Sequence, residues 1–176
     1  MRNLLGWVLA ILAFALVHEA GHAFTAHLYG ELQAFHVRPF GFEVTFVTAV
    51  TERLGFRWAI VSGTSNAITV LLGYALFLAR LRLASIPAAL PRNLGFWLTV
   101  LFMLGDPINL AVGPFLYGGD ATGIAVGLGV SRYAVQAVSL VILLLDRELL
   151  VQHVLPVYRV QTRHFLFRPL LPRLRA

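Results

Sequence analysis

The sequence contains no cysteine and no lysine, and charged residues make up only 12% of its 176 positions. Without cysteine the chain forms neither disulfides nor thiolate metal sites, so any bound metal must rely on histidine and carboxylate ligands. Soluble domains are about a quarter charged and about half apolar. This chain is 59% hydrophobic, with a mean hydropathy of +0.79. These values exclude an ordinary soluble domain and indicate an integral membrane protein in contact with a lipid bilayer.

The net charge of +6 is carried by arginine alone, since all fourteen basic residues are arginine. These arginines lie in predicted loops and in the C-terminal segment, where they can contact anionic lipid headgroups. The positive net charge therefore does not indicate a nucleic-acid partner, and we expect none.

Long apolar runs predict about four transmembrane helices, over 3–29, 56–79, 93–115 and 132–155. The third run is interrupted near Asp106 and Pro107, because proline removes a backbone donor and disfavours helix in the residue before it. We expect 106–119 to be a broken helix or an extended segment, surrounded by protein or by a water-filled cavity. The predicted fold is an all-α polytopic membrane protein, with one domain over 1–157 and a basic interfacial tail over 158–176.

A short region between the first two runs has a different hydrophobic period. Residues 42–51 alternate between the two faces of a strand, and 35–38 can pair with them through a turn at 39–41. Exposed strands are not stable within lipid, so this short β-hairpin is expected at the membrane surface. Two roles stay open: an ordinary connection, or a template to which an extended substrate adds as a strand.

The first apolar run ends in His18-Glu19-Ala20-Gly21-His22. Residues four apart share one face of a helix, so both histidines can bind one metal ion. Glu19 is rotated by about 100° from His18 and can activate water without being a ligand. Zinc hydrolysis needs these groups and a third protein ligand. Removal of this run as a signal peptide would destroy the motif, so we interpret it as an uncleaved transmembrane helix.

Two aspartates in the irregular segment are candidates for the third ligand. Asp106 has another explanation as the residue before a proline kink. Asp120 follows two glycines, which let the backbone come close to another element. The residues alone favour Asp120 and leave Asp106 open. Asp146, beside Arg147 near the end of the last helix, is explained by pairing and solvation.

Two asparagines are candidates for contacts with a substrate. Asn66 lies in a patch of small and polar residues within the second helix, and Asn109 lies in the irregular segment. Such amides can hydrogen-bond across helices.

Together these motifs resemble the intramembrane site-2 protease family of zinc metalloproteases. The resemblance rests on the motif at 18–22, on the small-residue patch ending in Asn66, and on the later series Asn109, Pro114 and Asp120. The order and rough spacing match across residues 14–123. The resemblance implies Zn²⁺ held by His18, His22 and Asp120, with Glu19 activating a zinc-bound water.

The activity implied by the resemblance is hydrolysis of peptide bonds in or near transmembrane segments, with a transmembrane protein or peptide as substrate. The resemblance also implies that Asn66 or Asn109 steadies an oxyanion or an unwound substrate strand. The expected location is a multi-pass position in a prokaryotic inner membrane. Two alternatives stay open: a non-catalytic metal-binding membrane protein of the same fold that acts in binding or assembly, and a small transporter. Orientation is also open. The arginine distribution places both termini in the cytoplasm and the His22 end of the first helix outside, whereas the resemblance implies a metal site nearer the cytoplasm.

Overall fold

The computed structural model describes residues 2–39, 41–49, 52–117, 119–162 and 164–171 of the chain. Within these residues, six α-helices and one two-stranded antiparallel sheet form most of the regular structure. The protein is therefore mostly helical with a small β element, as the sequence predicts.

The first helix, α1, spans Arg2–Leu28 and lies within one residue of the predicted run at each end. The helix stops because Gly30 adopts a left-handed φ of +69°. The amide of Glu31 then bonds back to the carbonyl of Ala26 at 2.8 Å.

The next two elements form the predicted hairpin. Strand β1 spans Leu32–Arg38 and strand β2 spans Gly41–Phe46, in an antiparallel register that places Phe35 opposite Val44. The pairing of the two segments is confirmed, and β1 begins three residues before the predicted 35–38. β2 packs against α1, so the hairpin is attached to the helix that carries the histidine motif.

The second strand is shorter than the predicted 42–51, whose last two positions lie outside the described residues. After β2 the backbone turns toward Glu31, which is buried. The Glu31 carbonyl accepts from the amide of Val47 at 2.9 Å, and its carboxylate accepts from the amide of Thr48 at 3.2 Å. These bonds replace the strand pairing that the alternating pattern predicted.

Helix α2 spans Arg57–Leu78 and matches the second predicted run. It is followed by a short helix, α3, over Arg80–Ala84, in a segment that the sequence indicated only as a connection.

Helix α4 spans Ala89–Val112 and runs through Asp106 and Pro107 without a break. The predicted interruption at these residues is therefore wrong. Proline costs the helix one hydrogen bond, but α1, α2 and α6 pack around α4 and hold the helical path on both sides of it. The backbone becomes irregular later, at a 3₁₀ turn over Gly113–Phe115.

The last two helices are joined at a sharp bend. Helix α5 spans Gly119–Leu128, and helix α6 spans Arg132–Leu149 and continues through a π-helical turn over Leu150–Val154. Ser131 caps α6, because its side chain accepts from the amide of Ala134 at 3.2 Å. The bend between the two helical segments is 118°.

Three helices, α1, α2 and α4 with its terminal turn, are long and apolar enough to cross a membrane. The bent pair α5–α6 makes a fourth if it is counted as one span. The chain is thus compatible with a membrane protein of three or four spans.

Glycines bring α4 into close contact with its neighbours. A Cβ atom at Gly73 of α2 would lie 2.7 Å from the carbonyl carbon of Phe102, and one at Gly105 would lie 2.5 Å from the ring of Phe14. Small residues permit such close helix packing. Any larger side chain at either position would push α4 away from α2 or α1.

The charged end of α6 is more buried than the sequence indicated. Asp146 is fully buried and accepts a hydrogen bond of 2.6 Å from the Tyr74 hydroxyl, so its predicted solvation is wrong. Glu148 accepts from the amide of Leu170 at 3.0 Å. Tertiary contacts with α2 and with the described tail residues, 164–171, thus cover this turn.

Candidate metal centre

Four helices bring the predicted site residues together. α1 supplies the histidine motif, α2 supplies Asn66, α4 supplies Asp106 and Asn109, and the first turn of α5 supplies Asp120. α1 packs against both α2 and α4, and α5 packs against α2. His27 is exposed, as its rotation away from the motif predicts.

Three of these side chains form a compact cluster with metal-ligating atoms facing one another. The Nε2 atoms of His18 and His22 are 3.2 Å apart. Asp120 places one carboxylate oxygen 3.4 Å from the first Nε2 and the other 3.2 Å from the second. One ligand atom from each residue lies within 4.8 Å of the others. The cluster can therefore hold a metal ion.

The other ring nitrogen of each histidine has a separate partner. His22 Nδ1 lies 2.9 Å from the carbonyl oxygen of Val61, which can only accept, so Nδ1 carries the proton and Nε2 has a free lone pair. His18 Nδ1 lies 2.9 Å from a carboxylate oxygen of Asp106, which fixes the same tautomer. Both Nε2 lone pairs and the Asp120 carboxylate thus converge as acceptors. A cation would stabilise this arrangement, and partners of this kind typically orient metal-binding histidines.

The geometry separates the two candidate aspartates. Asp106 contacts the Nδ1 side of His18, away from the cluster, and is 1% exposed. It also accepts a hydrogen bond from the Thr69 hydroxyl. Asp106 is therefore placed to orient His18, whereas Asp120 is the carboxylate that faces both Nε2 atoms.

The two asparagines predicted to contact substrate also contact Asp120. The amide nitrogens of Asn66 and Asn109 lie 3.2 and 3.3 Å from the same carboxylate oxygen and donate to it. Asn66 donates its second hydrogen to the carbonyl of Ser62 at 2.8 Å. Both amide hydrogens of Asn66 are thus used within the protein, whereas its buried side-chain oxygen has no hydrogen-bond partner among the described residues. Asn109 keeps one amide hydrogen free of these contacts and is the better placed of the two to donate to a substrate.

Glu19 lies beside the cluster and is not part of it. Its carboxylate accepts a hydrogen bond of 3.2 Å from the backbone amide of Val44 on β2. Glu19 lines a cavity of about 260 Å³ together with His18, Asn109 and Tyr117. A water molecule or a peptide carbonyl in this cavity would be in contact with both the carboxylate and the edge of the cluster.

The Tyr117 hydroxyl donates to the side-chain oxygen of Asn109 at one wall of this cavity. Burial and the negative charges of nearby carboxylates raise the pKa of the Tyr117 phenol. The phenol is therefore protonated at neutral pH and remains a hydrogen-bond donor.

Sequence reasoning missed several groups that support the site. Ser65 donates to the backbone carbonyl of His18, and Thr69 donates to Asp106. Their spacing was a usable signal, because four polar residues of α2 follow the i, i+3, i+4, i+7 pattern of one helical face: Ser62, Ser65, Asn66 and Thr69. The contact made by Val44 uses only its backbone amide, so no residue type could have indicated it.

Comparison of the chain with protein-family models, with curated proteins and with solved structures finds no match. The function is therefore argued from the residues and geometry of the site.

Proposed function

We propose that the protein is a zinc-dependent intramembrane endopeptidase of the site-2 protease kind, which hydrolyses peptide bonds in or near transmembrane segments of membrane proteins. The observation that carries the proposal is the convergence of His18, His22 and Asp120 beside Glu19. Both histidines lie on α1, which is long and apolar enough to cross a membrane. We place the protein as a multi-pass component of a prokaryotic inner membrane.

The donor set supports zinc as the metal. Two neutral imidazoles and one carboxylate are a ligand set of hydrolytic zinc sites, in which a fourth position is left for water or substrate. When bound, zinc acts as a Lewis acid that polarises the peptide carbonyl and makes water a better nucleophile.

Glu19 acts as the general base in this proposal. Its carboxylate takes a proton from the attacking water and passes the proton to the leaving amine when the peptide bond breaks. The amide of Val44 holds the carboxylate beside the cluster. Asn109 can donate its free amide hydrogen to the developing oxyanion.

The hairpin supports a role as a substrate template. The Val44 amide points out of the sheet toward α1, so the outer edge of β2 borders the site. A transmembrane substrate helix satisfies its own amides and must unwind before cleavage. Addition of the unwound segment along β2 would satisfy its backbone again, close to Glu19.

The metal content of purified protein tests the site. Wild type is expected to hold one zinc ion per chain, Asp120→Ala is expected to lose it, and Glu19→Gln is expected to keep it. Metal analysis after gel filtration in detergent measures all three. Zinc retained by Asp120→Ala but lost from Asp106→Ala would reverse the assignment of the third ligand.

Proteolysis tests the activity. Wild type and Glu19→Gln are reconstituted in vesicles with a membrane-protein extract, and new peptide ends are identified by mass spectrometry. Loss of the base is expected to slow cleavage by about 10²-fold or more, whereas Glu52→Gln, which changes an exposed glutamate, should cleave like wild type. Undiminished cleavage by Glu19→Gln would contradict the mechanism. Bound zinc without any cleavage by wild type would favour the non-catalytic alternative.

A further inference from the structure

A second site lies toward the opposite end of α4 from the metal centre. Its first part is a cavity of about 450 Å³, within the range of about 300–1,000 Å³ that is typical of small-molecule sites. Most of its wall is apolar and comes from one face of α4 and from the end of α6. The principal apolar side chains are Phe96, Val100, Leu104, Leu150 and Val151.

The second part is an adjoining polar cavity of about 510 Å³ beside α3. Ser85, Arg92 and Arg159 line it, together with Tyr158. Arg92 and Tyr158 also line the apolar cavity, so these two side chains form the boundary between the parts. One ligand with a polar and an apolar end could therefore occupy both.

The polar cavity carries positive charge without compensation. Within the described part of the chain, neither Arg92 nor Arg159 has a carboxylate partner, and no acidic residue lines either cavity. The guanidinium of Arg92 donates only a long bond of 3.4 Å to the carbonyl of Ile86. Arginine binds phosphate through paired N–H donors, and both guanidinium groups are available to do so.

Two further features mark the boundary as a ligand site. The Tyr158 hydroxyl is buried and has no hydrogen-bond partner among the described residues, which is uncommon for a buried polar atom. Arg159 is the only described non-glycine residue with positive φ, at 56°. Backbone strain of this kind is concentrated at functional sites.

We infer that the two cavities bind an anionic phospholipid, with its phosphate between Arg92 and Arg159 and an acyl chain against Val100 and Leu104. Arg92 and Asp106 are fourteen positions apart, which corresponds to about 21 Å along α4. No described residue lines both these cavities and the cavity beside Glu19, so the lipid site is separate from the candidate metal centre. It requires a membrane but not the proposed peptidase activity.

Lipid binding to delipidated protein in detergent tests the inference. Native mass spectrometry measures adducts of phosphatidylglycerol and of phosphatidylcholine with matched acyl chains. Wild type is expected to bind phosphatidylglycerol at least ten-fold more tightly. The double variant Arg92→Gln/Arg159→Gln is expected to lose this preference. Val100→Trp, which fills the apolar cavity, is expected to weaken the binding of both lipids.

Arg82→Gln is the matched control, because it removes one arginine from α3 that is exposed and lines neither cavity. It should bind phosphatidylglycerol like wild type. Equal binding of the two lipids by wild type, or equal loss in Arg82→Gln and the double variant, would overturn the inference. Binding of inorganic phosphate without phosphatidylglycerol would also overturn it, because the apolar cavity would then have no part in recognition. If Val100→Trp does not fold, the arginine variants still decide the question.

Discussion

If His18, His22 and Asp120 hold zinc as proposed, replacing Asp106 by asparagine is expected to weaken zinc binding without removing a ligand. The Asp106 carboxylate lies 2.9 Å from His18 Nδ1 and accepts a second hydrogen bond from Thr69. Asparagine keeps the size and shape of the side chain but removes its negative charge. That charge fixes the tautomer of His18 and raises the basicity of its imidazole. Loss of such a partner typically lowers metal affinity by about 10- to 100-fold. This corresponds to about 1.4–2.8 kcal/mol of binding free energy.

The affinity is measured by titrating zinc into detergent-solubilised protein against a chromophoric chelator of known affinity. Asp146→Asn is the control, because it changes another fully buried carboxyl of the helix bundle, which contacts Tyr74 instead of the metal cluster. The control should bind zinc like wild type. Asp120→Ala should bind no zinc in the same range.

Two results would refute this reasoning. Unchanged affinity in Asp106→Asn would show that the contact with His18 does not tune the metal site. Complete loss of zinc in Asp106→Asn, with binding kept in Asp120→Ala, would show that Asp106 is itself a ligand.

Three further predictions concern stability. Gly21→Ala should lower the free energy of unfolding by about 1–3 kcal/mol in chemical denaturation, because its Cβ would lie 2.9 Å from the Cα of Ser65. Gly63→Ala is the matched control: its Cβ has room, so it should leave the free energy of unfolding unchanged or raise it by up to about 1 kcal/mol. Tyr74→Phe should cost about 1–3 kcal/mol in the same assay, because it removes the hydrogen bond to buried Asp146; a value near zero would contradict this. Removal of zinc by a chelator should cost wild type about 2.7 kcal/mol when free zinc was at 100 times its dissociation constant. Asp120→Ala, which lacks the proposed third ligand, should show no such loss of stability when the chelator is added, as measured by thermal unfolding.

Local features of the metal centre could be predicted from the sequence because they depend on one helix. The spacing of His18 and His22 sets a shared face as soon as α1 forms, and the apolar run around them predicts that helix. The order of the long helices was also predictable from the apolar runs. The residues between α5 and α6 carry local end signals as well, since Gly129 has a positive φ and Ser131 caps α6.

Several features that depend on packing between helices could not be predicted. Asp106 and Pro107 were interpreted as a break in the helix from their local backbone preferences. Those preferences do not include the packing of the three helices that surround α4. Because Asp106 was assigned to an irregular segment and not to α4, its contact with His18 Nδ1 was not predicted. Burial of Asp146 by Tyr74 involves residues 72 positions apart, so no local pattern could have indicated it.

Because α4 is unbroken, the position of Asp106 beside His18 depends on how α4 is aligned along its axis with the neighbouring helices. One residue of helix advances by about 1.5 Å and turns by about 100°, so a slip of α4 by a single residue would carry Asp106 out of reach of His18. The close contacts at Gly73 and Gly105 oppose such a slip. A shift by one residue would bring Leu104 or Asp106 to the position of Gly105, where a Cβ atom would lie 2.5 Å from the ring of Phe14. The alignment of a charged site is thus held by contacts that contain no charge.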